Sequence, residues 1–592
     1  LPFHLGALEI VRAQLDLLLK QALASVTANH GALDPGDLDP QLERTRDARH
    51  GDFTSNVALR LAKPLARKPR EIAAEIVAAL PASPLIASTD VAGAGFINFT
   101  LVPAAYQEEL RIILAQGPGY GCSEFGAGQR YIVEYVSANP TGPLHVGHGR
   151  HAAYGASLAA MLRATGHEVH EEYYVNDAGR QMEILAASVW LRYAQRRGHD
   201  LPFPGNCYQA DYVVDIAASL DREHGEALDG DVGRLLALFA APDEDPEKQL
   251  DRTIAEIKTL LGEQGFRIVF AAALDSVLAD IKDDLAEFGV APQNWYSERS
   301  LVDNGAIQRT LDILERNGML YTRDGAKWFR ASDFGDEKDR VVVRENGVTT
   351  YFASDIAYHF EKCERGFTHL LDVLGADHHG YVARVRAGLE AMGAAPERLE
   401  VRLVQFVTLY RGQQKMQMST RSGQYITLRQ LRDEVGNDAA RFFYVARSND
   451  QHLDFDLELA KSQSNDNPVY YIQYAHARVA SVVKRLSEDG WKRSGGQGVD
   501  LALLTEPEEH ALMVALSRYP EQLQLGAVNR APQQIAHYLR ETAAAFHAWY
   551  NAHRVLLEDT ALRDARAILA LAAQQVLRNG LEMLGVAAPE TM

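Results

Sequence analysis

YIVEYVSANPTGPLHVGHGR, residues 131–150, is the stretch on which the reading of this chain turns. Ile132, Val133, Tyr135 and Val136 are β-branched or aromatic and predict a strand. Asn139-Pro140 and Gly142-Pro143 stop it, since neither dipeptide continues a strand or a helix. GRHAAYGASLAAMLRATG then carries small and apolar residues at helical spacing as far as Gly166, and HEVHEEYYV reads as a second strand. Strand, tight loop, helix, strand is the opening unit of a parallel, nucleotide-binding α/β sheet.

The start of that helix is suited to phosphate, because its unpaired N–H groups and dipole point at whatever lies beyond the N-terminus. His145 and His148, at i and i+3, can donate to the same phosphate oxygens, and Gly147 and Gly149 allow close approach to the backbone. Two other readings fit HxxH alone: a zinc pair, or histidines that cap the helix. Zinc needs a third ligand. His151 at i+6 does not converge with the other two, and no cysteine is near in sequence.

At 592 residues the chain exceeds one hydrophobic core, so three or four domains are expected. No apolar run reaches membrane-spanning length, so no membrane association is expected. Cys122, Cys207 and Cys363 are odd in number and dispersed, which fits a reducing cytoplasm and offers neither a disulfide framework nor a structural metal site. The net charge of −19 argues against a general nucleic-acid binder, so any RNA contact must come from local basic patches and be salt-sensitive.

Residues 1–120 predict an α+β domain. ALEIVRAQLDLLLKQAL and REIAAEIVAAL have helical periodicity, and GAGFINFTL reads as a strand. Between them lies a basic run with Arg60, Lys63, Arg67, Lys68 and Arg70, either a solvated face or an RNA contact. Residues 121–450 predict a Rossmann-type parallel-sheet domain, interrupted at 177–295 by a mostly helical insertion. In its second half HLLDVLGADHHGY reads as a buried strand whose end presents Asp377, His378 and His379, and EVRLVQFVTLY reads as one further strand. The polar loop RGQQKMQMSTRSGQYITL follows, cationic through Arg411, Lys415 and Arg421. Residues 451–592 predict an all-α helical bundle. There Tyr470, Tyr471, Tyr474 and Arg478 share a broad face, suited either to stacking unpaired bases or to a bundle core. Glu134 and Asp355 are acids in or beside apolar or aromatic segments, where a solitary charge is costly unless a cation of the protein or of a ligand pairs with it.

A strand followed by P-x-x-HVGH opening a helix resembles the HIGH signature of class I aminoacyl-tRNA synthetases, and EYVSANPTGPLHVGHGR is similar to the arginyl-tRNA synthetase version of it. DFTSNVALRLAK and GAGFINF resemble that family's N-terminal domain, GNCYQADYVVDIA a segment of its insertion, and NPVYYIQYAHARV with HAWYNAHRVL and GVAAPETM its anticodon-binding helices. Gln417-Met418-Ser419-Thr420-Arg421 with Gly423 resembles its divergent KMSKS loop. Two departures stand out: Thr420 replaces the usual second lysine, and Gly142 holds the position where some members carry a substitute.

The resemblance implies ATP with Mg²⁺, L-arginine and the tRNA for arginine as substrates and partners, in a cytoplasmic monomer with no resident metal. It implies a catalytic set of His145, His148, Ser419 and Arg421. Nucleotide would be bound by His145, Gly147, His148, Asp377, His378 and Met418. Arginine would be held by Tyr351 and Asp355 at its guanidinium and by Glu134, Ser137 and Asn139 at its α-amino and carboxylate end. RNA would meet Phe53, Asn56, Tyr470, Tyr474, Arg478 and Met592. With both signature lysines absent, Arg421 and then Lys415 are the candidate cations for the leaving pyrophosphate. Two alternatives accompany this reading: a class I synthetase or nucleotidyltransferase for another small molecule, and a tRNA-binding paralogue whose loop no longer closes.

Overall fold

The computed structural model describes residues 7–27, 38–45, 47–241, 243, 245–376, 380–416, 425–492 and 495–592. The chain begins with α1 (Ala7–Thr27), β1 (Leu42–Arg44), β2 (Phe53–Ser55), α2 (Val57–Leu65), α3 (Pro69–Ala79), β3 (Ile86–Ala92), β4 (Phe96–Leu101) and α4 (Pro103–Gln116). The strands form an antiparallel sheet in the order β1-β2-β4-β3, with Leu15, Leu19, Phe53, Leu61, Ile76 and Phe99 buried beneath it.

Five strands form the central sheet: β5 (Arg130–Glu134), β6 (Glu168–Val175) and β7 (Asn294–Ser297), then β11 (His369–Gly375) and β12 (Leu399–Val404). Their order is β12-β11-β5-β6-β7 and every pairing is parallel. The chain winds outward from β5 in one direction, then returns to lay β11 on its other side. Helix α5 (Val146–Ala164) bridges β5 and β6, as its spacing predicts. Four helices, α6 (Arg180–Arg196), α7 (Asp211–His224), α8 (Gly233–Ala240) and α9 (Pro246–Glu287), fill the way to β7. Gly262, at φ 66°, breaks α9 into two helical segments. Short helix α10 (Ser300–Asp303), α11 (Ala306–Arg316) and an antiparallel sheet of β8 (Leu320–Arg323), β9 (Ala326–Phe329) and β10 (Arg340–Val343) precede α12 (Tyr351–Glu364) and β11. Helix α13 (Tyr381–Ala391) leads to β12.

EVRLVQFVTLY is not one strand. It divides into β12 and β13 (Val407–Arg411), which belong to different sheets. The break is held from outside the segment: Gln405 N donates to Asn449 O at 2.8 Å, and buried Arg150 donates to Gln405 O at 2.8 Å. Strand β13 pairs with β14 (Gln414–Lys415) and, in parallel, with β15 (Leu453–Asp456). Residues 451–592 are therefore not helical throughout. Between these strands lie α14 (Leu428–Val435) and α15 (Asn437–Val445); α16 (Leu457–Lys461), α17 (Pro468–Glu488), α18 (Pro507–Leu516), α19 (Tyr519–Asn529), α20 (Pro532–Ala552) and α21 (Thr560–Met583) follow.

Helix α5 is buried nearly all round, consistent with its small residues. A Cβ on Gly155 would run into the Tyr135 ring just past β5. Gly155→Ala, which would stabilise an exposed helix, is therefore expected to lower the melting temperature here, by overpacking worth about 1–3 kcal/mol; an unchanged or higher melting temperature would refute that packing.

Candidate active site

Parallel α/β sheets bind ligands outside the carboxyl ends of their strands, where the winding reverses. That point lies between β5 and β11, and a cavity of about 710 Å³ opens there. It gathers residues distant in sequence: Glu134 at the end of β5, with Ser137 and Asn139 after it; His145, Gly147 and His148 at the start of α5; Tyr174 and Asn176 at the end of β6; Asp355 on α12; and Gln405, Phe406 and Tyr425. Phe406 stands 63 % exposed at the break between β12 and β13.

The backbone turns sharply where β5 ends. Val136 and Ser137 adopt φ of 69° and 39°, left-handed values that cost energy for side chains beyond Cβ, above all a β-branched one. The turn places the Ser137 hydroxyl to donate to Glu134 Oε1 at 3.0 Å and to accept from Tyr174 N at 3.0 Å. Asn139 Nδ2 donates to Gln181 Oε1 at 2.9 Å.

The two histidines are caps and also face the cavity. His145 Nδ1 accepts from Gly147 N at 3.1 Å, and His148 Nδ1 accepts from His145 N at 3.2 Å. Their rings stack with centroids 3.6 Å apart. An Nδ1 that accepts leaves the ring proton on Nε2. Burial pushes the His145 imidazole below its ordinary pKa, and burial together with His145 and His151 pushes His148 well below it. Both rings are thus neutral donors through Nε2–H at neutral pH. Among the described residues the one trio of metal-capable groups in mutual reach is Glu506, Glu508 and His553, on the helical domain. Gly149 does not serve ligand approach: a Cβ there would meet Leu428 at 2.6 Å and Tyr444 at 2.8 Å, so it is a packing glycine. Gly147 is needed by the cap, since its Cβ would lie 2.9 Å from the His145 ring.

The other end of the cavity is lined by Asp355, and a second acid, Glu298, lies near it outside the lining. Burial pushes the Asp355 carboxyl up to about 6. Glu298, just past β7, is buried; burial first, then Asp355 and Asp177, push it up to about 7, and its Oε2 has no hydrogen-bond partner among the described residues. Glu298 was not singled out from the sequence, where YSERS looks like a polar loop. Its signal is tertiary: a buried acid facing another acid with no lysine or arginine in ion-pair range among the described residues. Glu134, in contrast, has a cationic partner inside the protein, Lys362, at 2.6 Å.

The remaining expected residues fall in four places. Tyr351 opens α12, 56 % exposed, one turn before Asp355, and does not line the cavity. Phe53 is only 1 % exposed beneath the Arg44 guanidinium, so its ring is closed to RNA, and Asn56 sits at the N-cap of α2. On α17, Tyr470 and Tyr474 stack with centroids 6.0 Å apart and the Arg478 guanidinium lies over the Tyr474 and Tyr550 rings; Tyr470 and Met592 line one groove. Asp377, His378, Met418, Ser419 and Arg421 lie outside the described residues. The flanks of the cationic loop are described. Arg411 is held by Glu434 and Glu458, Lys415 makes no ion pair among the described residues, and at the far end Leu428 N donates to Leu144 O at 2.8 Å beside His145.

Three family models match in succession: the arginyl tRNA synthetase N terminal domain over residues 13–101, the class I (R) tRNA synthetase catalytic domain over 109–463, and the DALR anticodon binding domain over 472–592. An arginine–tRNA ligase of Thioalkalivibrio sulfidiphilus is 56% identical over 589 residues, covering 98% of this chain and all of that one. Another from Azoarcus is 55% identical over 592 residues, covering 97% and 98%. The solved arginyl-tRNA synthetase of Thermus thermophilus shares the fold at a TM-score of 0.71 with 24% identity, covering 98% of this chain and 100% of that one. The fold is thus that of a class I aminoacyl-tRNA synthetase. Within that class the chain belongs to the arginyl-tRNA synthetase family.

The buried acid has a consequence for stability. Glu298 has a pKa of about 7 in the fold against 4.5 when unfolded, so stability is lost as pH rises from 4.5 to 7 and the loss then stays. Glu298→Gln should therefore raise the apparent unfolding stability at pH 8 by about 1–3 kcal/mol, with the gain shrinking toward zero near pH 4.5. Thermal scans of both proteins at the two pH values measure this; a gain that does not depend on pH would contradict a buried, unpaired Glu298.

Proposed function

We propose that this chain joins L-arginine to its tRNA through an arginyl-adenylate, and that the cavity at the sheet's switch point is where both steps occur. The observation that carries the reading is the cavity's polarity: two neutral imidazole donors on a helix N-terminus at one end, and at the other the Asp355 carboxyl with Glu298 near it, neither paired with a lysine or arginine among the described residues. A planar guanidinium suits the acidic end, because carboxylates accept from it in fork geometry. Asp355 and Glu298 would take the guanidinium, and Ser137, Asn139 and Glu134 the α-amino and carboxylate end. A lysine substrate, with one compact ammonium, would leave buried acceptors unfilled.

ATP phosphates would lie on the N-terminus of α5, with the Nε2–H groups of His145 and His148 and the helix N–H groups as donors, and the adenine toward Phe406. Mg²⁺ would accompany ATP and shield its phosphate charge; we assign it no protein ligand. The arginine carboxylate attacks the α-phosphorus and pyrophosphate departs, with Lys415 and Arg421 as the cations of the loop. A ribose hydroxyl of the terminal adenosine then takes the arginyl group and releases AMP. The protein positions and stabilises charge, forming no bond itself. We propose a division of labour with boundaries at residues 120 and 450: an N-terminal tRNA-contacting domain, the catalytic domain with its insertion at 177–295, and helices that read the anticodon through Tyr470, Tyr474, Arg478 and Met592. The dispersed cysteines suit a reducing cytoplasm, and every group invoked lies on one polypeptide, which suits a monomer.

Charging of mixed tRNA with each labelled amino acid tests the reading directly: arginine alone should be attached, and retained tRNA binding without charging would sink it. The acidic pocket adds a pH signature. Asp355 and Glu298 accept protons as pH falls through 7 and 6, so arginine must displace protons to bind. Its dissociation constant should rise roughly twentyfold between pH 8 and pH 6, with net proton release in calorimetry; a flat profile would count against these two carboxyls as the guanidinium site.

A further inference from the structure

Beneath the acidic end of the cavity is a lysine that no reading of the sequence singled out. Lys362 is 0 % exposed. Its ammonium donates to Glu134 Oε2 at 2.6 Å and to Asp372 Oδ1 at 3.0 Å, and lies 4.2 Å from the Tyr358 ring centroid. Its three donor directions thus meet two carboxylates and a ring face. Burial works against its charge, yet Asp372, Glu134 and Glu172 together raise its pKa above the ordinary lysine value.

The surroundings show where this lysine acts. Asp355, His359 and Lys362 follow one another at i, i+4 and i+7 on α12, so the helix face that offers Asp355 to the cavity also carries the ammonium below it. His359 Nδ1 faces the Asp355 carbonyl oxygen at 2.7 Å, and its Nε2 faces Asp372 Oδ2 at 2.7 Å. Both partners are acceptors, so both ring nitrogens of His359 are placed to donate. Glu134 is left with one oxygen bound to Lys362 and the other, Oε1, turned to the Ser137 hydroxyl and the cavity.

We propose that Lys362 is a positioning residue for arginine: it holds Glu134 in the single orientation that presents Oε1 to the substrate. This rests on the reading of Glu134 as an arginine contact. A lysine that merely fastened α12 to the sheet would matter equally for ATP, arginine and turnover. A brace acting through Glu134 matters for arginine.

The test is a double-mutant cycle on the full chain, with KM for arginine, KM for ATP and kcat read in tRNA charging for Lys362→Met, Glu134→Gln and the pair. Each single substitution should raise the arginine KM roughly 30-fold or more, as expected when one partner of a buried charge pair is removed. The ATP KM and kcat at saturating arginine should stay within about threefold. The double variant should be no worse than Glu134→Gln, because the brace has nothing left to hold. Effects that multiply in the double variant, or an equal loss for ATP, overturn the brace and leave Glu134 as an arginine contact. An arginine KM untouched by Glu134→Gln overturns the reading of Glu134 and the brace with it. Should Lys362→Met fail to fold, the same cycle in an Asp372→Asn background removes one buried charge of each sign and decides by the same criteria.

Discussion

Neighbouring parallel strands cannot be joined by a tight turn, and this constraint shapes the molecule. Each step of the sheet from β5 to β6 to β7, and from β11 to β12, needs a crossover of many residues. The crossovers carry the helices that cover both faces, and the one between β6 and β7 has room for a helical insertion. In return, five strand ends drawn from residues 134 to 404 come out on one edge. The reversal between β5 and β11 leaves a gap there that no crossover fills, and the cavity is that gap.

Electrostatics then divides the gap into two ends. Several acids converge under α12, and burying each alone would be prohibitive. The fold neutralises some: Arg365 takes Glu172 at 2.6 Å, and Lys362 takes Glu134 and Asp372. It leaves Asp355 and Glu298 without a lysine or arginine ion pair among the described residues, and burial pushes their pKa values up. At the other end the histidines spend Nδ1 on helix capping, which sets their tautomer, and burial keeps them uncharged. The result is an acidic end suited to a cation and a donor-rich end suited to phosphates, separated by the strained turn at Val136 and Ser137. The overall charge of −19 is compatible with an RNA substrate because the basic and aromatic groups on α17 are concentrated locally.

Much of this was legible in residues 131–175, because strand alternation, proline punctuation and helical spacing are local physics. The HVGH turn at the start of α5 follows from them, as do β6 and the buried β11. So does the presence of Glu134, Ser137, Asn139, His145 and His148 near one edge. What is local also misleads. EVRLVQFVTLY has the composition of one strand, and only Asn449 and Arg150, remote in sequence, cut it in two. Gly149 next to a histidine pair suggests ligand approach, whereas Leu428 and Tyr444 occupy the space. The family resemblance assigns Phe53 to RNA, yet the N-terminal sheet buries its ring.

The sequence by itself determined the alternation of elements, the parallel sheet and the helix N-terminus with its two imidazoles, since each depends on residues within a few positions of one another. Only the tertiary structure decided which acids are neutralised. Glu134 and Asp355 look alike in sequence, but one meets Lys362 and the other meets Glu298, and the outcome turns on pairs separated by 228 residues in one case. Coulomb energy in a buried site depends on distance in space, and distance along the chain carries no record of it.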